Sequence, residues 1–262
     1  MSKTMPALFI GHGNPMNAIE SNEFSLKWEE IALQLPKPKA VLCISAHWET
    51  WGTMVTGVEK PDTIHDFGGF PEELYRVSYP AKGNKSLAAE IAGSLAKFKA
   101  TLCHDRGLDH GCWSVLKRMY PKADVPVLQL SLDQTKSGLE HFEIGKALAY
   151  LREQGVLIMG SGNLVHNLYL IEMKSEDFNE EYGFDWAIEA NEKFKALIVN
   201  NEHDKLCKYG ALGQAVSLAV PTPEHYLPML YTMAVRKPED KVSFFNDKAV
   251  AGSLTMTGVV LG

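Results

Sequence analysis

The run Ala40-Val41-Leu42-Cys43-Ile44-Ser45-Ala46 is apolar on every side and stops on His47-Trp48-Glu49. A run this short, rich in Val, Leu and Ile and preceded by Pro36 and Pro38, reads as a strand buried on both faces. Strands of that kind belong to parallel sheets covered by helices on both sides. A histidine where such a strand leaves the sheet lies at the edge at which open α/β folds bind ligands.

The rest of the chain repeats the theme. Ala7 to Ile10 reads as a first strand running into Gly11-His12-Gly13-Asn14-Pro15, a tight turn whose backbone can approach a ligand. Ser21 is the expected cap of a helix over residues 22–35, with Phe24, Trp28, Ile31 and Leu35 on its apolar face. Further strands are expected over 53–58, 100–105, 125–132 and 156–160, and helices over 84–98, 113–119 and 139–154. Residues 61–80 form a long irregular stretch, read as a lid or pocket wall. Beyond Asp185 the chain turns helical through about Ala219. Pro221 and Pro223 are expected to start a helix carrying Glu224 and His225 in its first turn. Residues 242–245 and 254–261 are expected as closing strands. The alternation predicts one α/β domain over residues 1–262, with a mostly parallel or mixed sheet, helices on both faces and the site at the carboxyl edge of the strands.

The totals narrow the function classes. A net charge of -6 offers no broad basic surface for nucleic acid. No apolar stretch approaches the ~18 residues of a membrane span, and no signal segment is apparent. Cys43, Cys103, Cys112 and Cys207 lack CxxC spacing, which suits a reduced, cytoplasmic protein.

Four histidines share a local grammar. His12, His47, His110 and His166 each follow a predicted strand, and His225 joins them from the C-terminal helix. In a parallel sheet those strand ends meet, and converging neutral imidazoles are the commonest transition-metal donors. His12, His47, His166 and His225 are the candidate ligands, and His110 suits a substrate hydrogen bond better. His65 fits pocket lining and loop capping equally, whereas His104, His141 and His203 read as structural or exposed. Trp48, Phe67, Phe70 and Trp113 could wall an aromatic pocket. His47-Trp48-Glu49 lacks the Pro-Cys-x-x-Cys of a zinc deaminase, and no GxSxG, Walker A or GxGxxG motif occurs.

Six segments in order carry a resemblance: residues 8–16, Ser45-Ala46-His47-Trp48, residues 63–71, Gly107-Leu108-Asp109-His110-Gly111, residues 162–167 and residues 221–228. Together they resemble the class III extradiol ring-cleavage dioxygenases, the LigB-like family, and within it the DOPA 4,5-dioxygenase branch of plants and bacteria. The resemblance implies a non-haem metal enzyme that uses O2 to open a catechol ring, with one metal ion per chain, Fe(II) for activity or Zn(II) as isolated. It implies that His12, His47 and His225 ligate the metal. His166 would be the acid/base, near enough to ligate without substrate, and His110 would hydrogen-bond a substrate hydroxyl. With DOPA the product would be seco-DOPA, which cyclises to betalamic acid. The wider class uses a glutamate as third ligand. Glu224 and His225, as helix neighbours about 100° apart, could not both face the metal, and His225 is favoured by the branch. A zinc hydrolase using the same ligands and a non-catalytic Memo-type binding module stand as alternatives. Arg76 and Arg106 are the possible clamps for an amino-acid carboxylate. The expected partners are a small catechol and O2, and the expected state is a monomer.

Overall fold

A computed structural model describes residues 4–262. The chain begins with β1 (Ala7–Gly11), α1 (Glu23–Gln34), β2 (Ala40–Thr50) and β3 (Met54–Thr56). It continues through α2 (Glu72–Tyr75), α3 (Lys85–Ser94), β4 (Thr101–Cys103), α4 (His110–Met119), β5 (Val127–Asp133), α5 (Gly138–Lys146) and β6 (Val156–Gly162). Four helices follow, α6 (Asp185–Val199), α7 (His203–Cys207), α8 (Gln214–Ala219) and α9 (Leu227–Ala234). The described chain closes with β7 (Val242–Phe245), β8 (Ala249–Val250), β9 (Leu254–Thr255) and β10 (Gly258–Leu261).

Eight strands form one mixed sheet in the order β4-β3-β5-β2-β6-β1-β10-β7. Its centre, β5-β2-β6-β1, is parallel, while β10 and β7 add an antiparallel edge. Side-chain alternation divides the core in two. Phe9, Leu42, Ile44 and Ile158 face the layer made by α3, α5, α6, α8 and α9. Leu8, Ile10, Val41, Cys43 and Met159 face α1, α4 and the 61–81 stretch. The α/β fold read from the alternation is therefore the observed one. All four cysteines are free thiols, and no described helix is long and apolar enough to cross a membrane.

Several boundaries differ from the sequence reading. The cap of α1 is Asn22, whose side chain accepts from the amides of Phe24 and Ser25 while Ser25 Oγ closes a capping box. Ser21 is thus not the cap, and Leu35 falls just past the helix. The helix expected from Trp113 starts at His110, because buried Asp109 caps it through the Cys112 amide. The helix expected from Pro221 starts at Leu227, with Pro228 in its first turn. Glu224 and His225 therefore lie in the turn before α9, where helical spacing does not govern their directions. The expected strand over 254–261 is two strands, β9 and β10, broken at Met256 and Thr257.

Candidate metal centre

The central strand β2 does not run straight to its end. Ile44 lies opposite Leu130 and Glu49 opposite Leu132, so β2 takes five steps where β5 takes two. Its pairing with β6 ends at Ser45 opposite Ser161. The extra residues form a bulge that turns His47 out of the ladder, a common way to re-aim a side chain beside a site. Three hydrogen bonds fix the bulge. Ser45 Oγ accepts from the His47 amide at 3.2 Å and donates to Asp109 Oδ1 at 2.6 Å. The Arg106 guanidinium donates to the His47 carbonyl at 3.0 Å. Asp109 also caps α4 and accepts from Gln129 Nε2 at 2.7 Å, so one buried carboxylate places both His47 and His110. Burial, followed by the nearby Asp66 charge, pushes its carboxyl above the usual range.

His12 follows β1 directly. Its amide donates to the Gly162 carbonyl at 3.1 Å, and the next residue, Gly13, takes a positive φ of 55° that a side chain would strain. Ser161 Oγ is 2.6 Å from the Gly111 carbonyl and 3.0 Å from His12 Nδ1. A carbonyl can only accept, so the single hydroxyl proton goes to Gly111 and His12 Nδ1–H must donate to the serine. That assignment leaves a lone pair on His12 Nε2, which faces His47 Nε2 at 3.1 Å.

His225 is held from the other layer. Its carbonyl accepts from the Asn163 amide at 2.9 Å, and a Cβ on Gly162 would stand 2.0 Å from that same oxygen, so only glycine lets the two segments close. His225 Nδ1 and Glu224 Oε1 are 3.1 Å apart. His166 stacks on His225 with ring centroids 3.4 Å apart and planes 10° from parallel. Its amide is tied to the Ala219 carbonyl at 2.8 Å. His110, the first residue of α4, has its ring centroid 3.9 Å from that of His47. Asp66 Oδ1 accepts the His110 amide at 2.9 Å and lies 3.0 Å from His110 Nδ1, while Asp66 Oδ2 lies 3.9 Å from His47 Nδ1. Burial works to raise the Asp66 carboxyl, yet the contacts with His110 outweigh it and hold it below its ordinary range.

All five expected histidines thus converge. Donor atoms of His12, His47 and His110 lie within 4.8 Å of one another, as do those of His166, Glu224 and His225. Burial holds His12, His47 and His225 well below the ordinary imidazole pKa, helped by the neighbouring rings, and lowers His166 to about 4. Neutral rings crowded at one point keep the lone pairs a metal needs. The donor set therefore fits a transition-metal ion, with carboxylates behind His225 and beside His47 and His110 to orient the rings and offset its charge.

In front of the histidines opens a pocket of about 290 Å³, at the small end of the roughly 300–1,000 Å³ usual for ligand sites. Phe67 and Phe70, from the stretch read as a pocket wall, line it. Trp113 does not. Its indole N–H is buried and donates to the Ile64 carbonyl at 2.7 Å. Trp48 is buried outside the lining as well. His65 contacts the Val77 carbonyl at 3.0 Å and packs edge-on to Phe67 and at a tilt to Trp113, so it braces the wall from behind. His141 is fully buried against Tyr231, and His203 packs on Phe142. The opposite wall, Leu168, Ile171, Phe178 and Leu254, was not anticipated. Neither were the positioning roles of Asp66, Asp109 and Ser161. An acidic residue three before the Cys112 amide was the available sign of a helix cap.

Comparison with known proteins places the chain in a family. A family model described as the catalytic LigB subunit of aromatic ring-opening dioxygenase matches residues 6–261. A 4,5-DOPA dioxygenase extradiol of Escherichia coli K12 is 42% identical, covering 100% of this chain and 97% of its own. A protein of that name from Beta vulgaris is 37% identical over 94% of this chain and 92% of its own. The crystal structure of an uncharacterized E. coli K12 protein superposes with a TM-score of 0.85 at 38% identity, covering 98% of this chain and all of the other. The resemblance first visible in six motifs therefore extends over the whole described fold. The chain belongs to the LigB family of metal-dependent, aromatic ring-opening dioxygenases and is an oxidoreductase of the extradiol kind that acts on a small molecule with O2.

Proposed function

We propose that His12, His47 and His225 hold one metal ion, with His166 as the proton-transfer residue and His110 as hydrogen-bond partner to a substrate hydroxyl. The proposed reaction opens a catechol ring beside its two hydroxyls. L-DOPA is the first candidate, since relatives carry that name. Its product would be seco-DOPA, cyclising to betalamic acid. Fe(II) suits the O2 chemistry, and Zn(II) is the expected inactive occupant. The observation that carries the ligand reading is a shared pattern. His12 and His225 each present Nδ1 to a protein oxygen, Ser161 and Glu224 in turn, and so leave Nε2 as the nitrogen available to an ion. His47 has its Nδ1 on the side of Asp66 and its Nε2 toward His12.

A bound metal would supply the electronic contact between an electron-rich ring and O2 that their spin states otherwise deny. The protein's own residues do the rest. Catechol must lose at least one proton to bind through both oxygens, and neutral His166, whose ring nitrogens make no hydrogen bond among the described residues, can accept it. The same imidazole can return that proton as the O–O bond breaks. The phenylalanines and aliphatic wall hold the ring in one plane and exclude water.

The direct test is oxygen uptake by protein reloaded anaerobically with Fe(II), then given L-DOPA and air. Stoichiometric uptake with a new yellow product is expected, and no uptake with any catechol despite bound iron would refute the reading in favour of a zinc hydrolase or a binding module. Ligand roles are separated by variants. His225→Ala should lose metal, whereas His110→Ala and His166→Ala should keep it and lose turnover by about 10²–10⁴-fold, the usual worth of a proton-transfer group. His110 also groups closely with His12 and His47. The reverse outcome, metal lost with His110 and kept with His225, would make His110 the third ligand.

A further inference from the structure

The pocket wall beyond the imidazoles carries no charge. Phe67, Phe70, Leu168, Ile171, Phe178 and Leu254 make most of it, the Gly13-Asn14-Pro15 turn adds one polar side chain, and among the described residues no lysine, arginine, aspartate or glutamate lines it. The two arginines that could have clamped a carboxylate are committed elsewhere. Arg76 is exposed and pairs with Glu72 at 2.6 Å. Arg106 donates to the His47 carbonyl at 3.0 Å and lies 3.5 Å from Asp109, behind the histidines. Lys174, near the Ile171 wall, is paired with Glu172 and sits over the Tyr182 ring. The carboxylates of Asp66 and Glu224 contact the His110 and His225 rings directly, while the Arg106 charge lies behind His47 at its backbone.

An anionic substituent entering this space would therefore meet mostly apolar walls and carboxylates, with the Asn14 amide as the one polar side chain beyond the imidazoles, and would lose hydration without gaining a cationic partner. An alkyl substituent would instead bury its carbons against aliphatic and aromatic side chains. We infer that the site recognises the catechol ring and the first apolar atoms of its side chain but not an amino-acid head group, so that it selects neutral 4-alkylcatechols over L-DOPA. This rests on the reading of the pocket as a catechol site. L-DOPA is turned over only with its ammonium and carboxylate left in water at the mouth.

Binding is measured first, on Zn(II)-loaded protein under argon, where no turnover occurs. The probes are 4-propylcatechol (neutral), dopamine (cationic), 3-(3,4-dihydroxyphenyl)propionate (anionic) and L-DOPA (zwitterionic). The propyl compound is expected to bind about tenfold or more tighter than L-DOPA, the discrimination a few methylenes supply in an apolar pocket, with the propionate weakest. The same order is expected in kcat/KM from oxygen uptake by the Fe(II) form. Equal or tighter binding of L-DOPA, of dopamine or of the propionate overturns the inference. Failure of every probe to bind also overturns it. Binding in the expected order without oxygen uptake would sustain the specificity and instead refute the dioxygenase reading.

Ile171→Arg supplies the absent countercharge at a partly exposed wall position (39% exposed). It should shift the propionate-to-propylcatechol affinity ratio severalfold toward the acid. No shift in Ile171→Arg, or in Leu168→Arg at the neighbouring wall position, would show that the substituent does not lie along this wall.

Discussion

Replacing Ser161 by alanine tests the centre at its most economical point. Ser161 is fully buried on β6, and its hydroxyl links Gly111 of α4 with the His12 ring that follows β1. Ser161→Ala leaves the Gly111 carbonyl and His12 Nδ1–H without that partner. At about 1–3 kcal/mol for each buried polar group left unpaired, and with partial relaxation, the fold should lose about 2–4 kcal/mol. Metal affinity should fall more selectively. Without the serine as acceptor, the His12 proton is free to move to Nε2, the nitrogen that faces His47 and that the proposed centre would turn to the ion. Loss of a partner that orients a metal-binding histidine typically costs about 10–100-fold in affinity. Competition with a chromophoric chelator reads the affinity, and urea unfolding of the metal-free protein reads the fold. A variant that is destabilised as expected but binds Zn(II) within threefold of the parent would refute the tautomer argument. A loss of metal with unchanged stability would refute the burial argument instead.

Other perturbations follow from the same geometry. Gly162→Ala places a Cβ 2.0 Å from the His225 carbonyl, so backbone must move. A cost of about 1–3 kcal/mol and weakened metal binding are expected by the same two assays, and a variant with parental affinity would show that His225 is not a ligand. His141, buried against the Tyr231 hydroxyl at 2.8 Å, has its pKa lowered by burial from 6.5 to about 4. Its unfolded form therefore takes up a proton first as pH falls. The effect is absent above pH 6.5, grows below it and levels off below about 4. Between pH 7 and pH 5 the parent should lose about 2 kcal/mol more stability than His141→Gln, and equal losses in urea titrations would contradict the assignment.

The sequence carried the sheet because its central strands are almost wholly buried, and continuous apolar runs survive without context. It also carried the convergence of histidines, since parallel strands bring their carboxyl ends together whatever the intervening loops do. What it could not carry was anything decided by contacts across the fold. The extra residues in β2 are visible only against the register of β5. His110 is helical because Asp109 caps α4, a role hidden among the glycines at 107 and 111. The prolines before Glu224 made an early helix start plausible, but a Cβ-free approach to Gly162 holds that segment as a turn and delays α9 to Leu227. In that turn the Glu224 carboxylate meets the His225 ring nitrogen directly. Leu168, Ile171 and Phe178 sit in a stretch without periodicity, so nothing local marked them as a wall.

The strand order also bears on how the centre comes into being. β1, which delivers His12, lies between β6 and β10, partners roughly 150 and 250 positions away along the chain. Such distant pairings are slow steps in folding, because the loops they close must be paid for before the contacts reward them. A chain elongated only as far as α9 already carries every histidine of the cluster, yet β1 then has one edge unpaired. The cluster should mature late, after β10 has docked, so that a metal ion meets a finished pocket rather than a nascent chain.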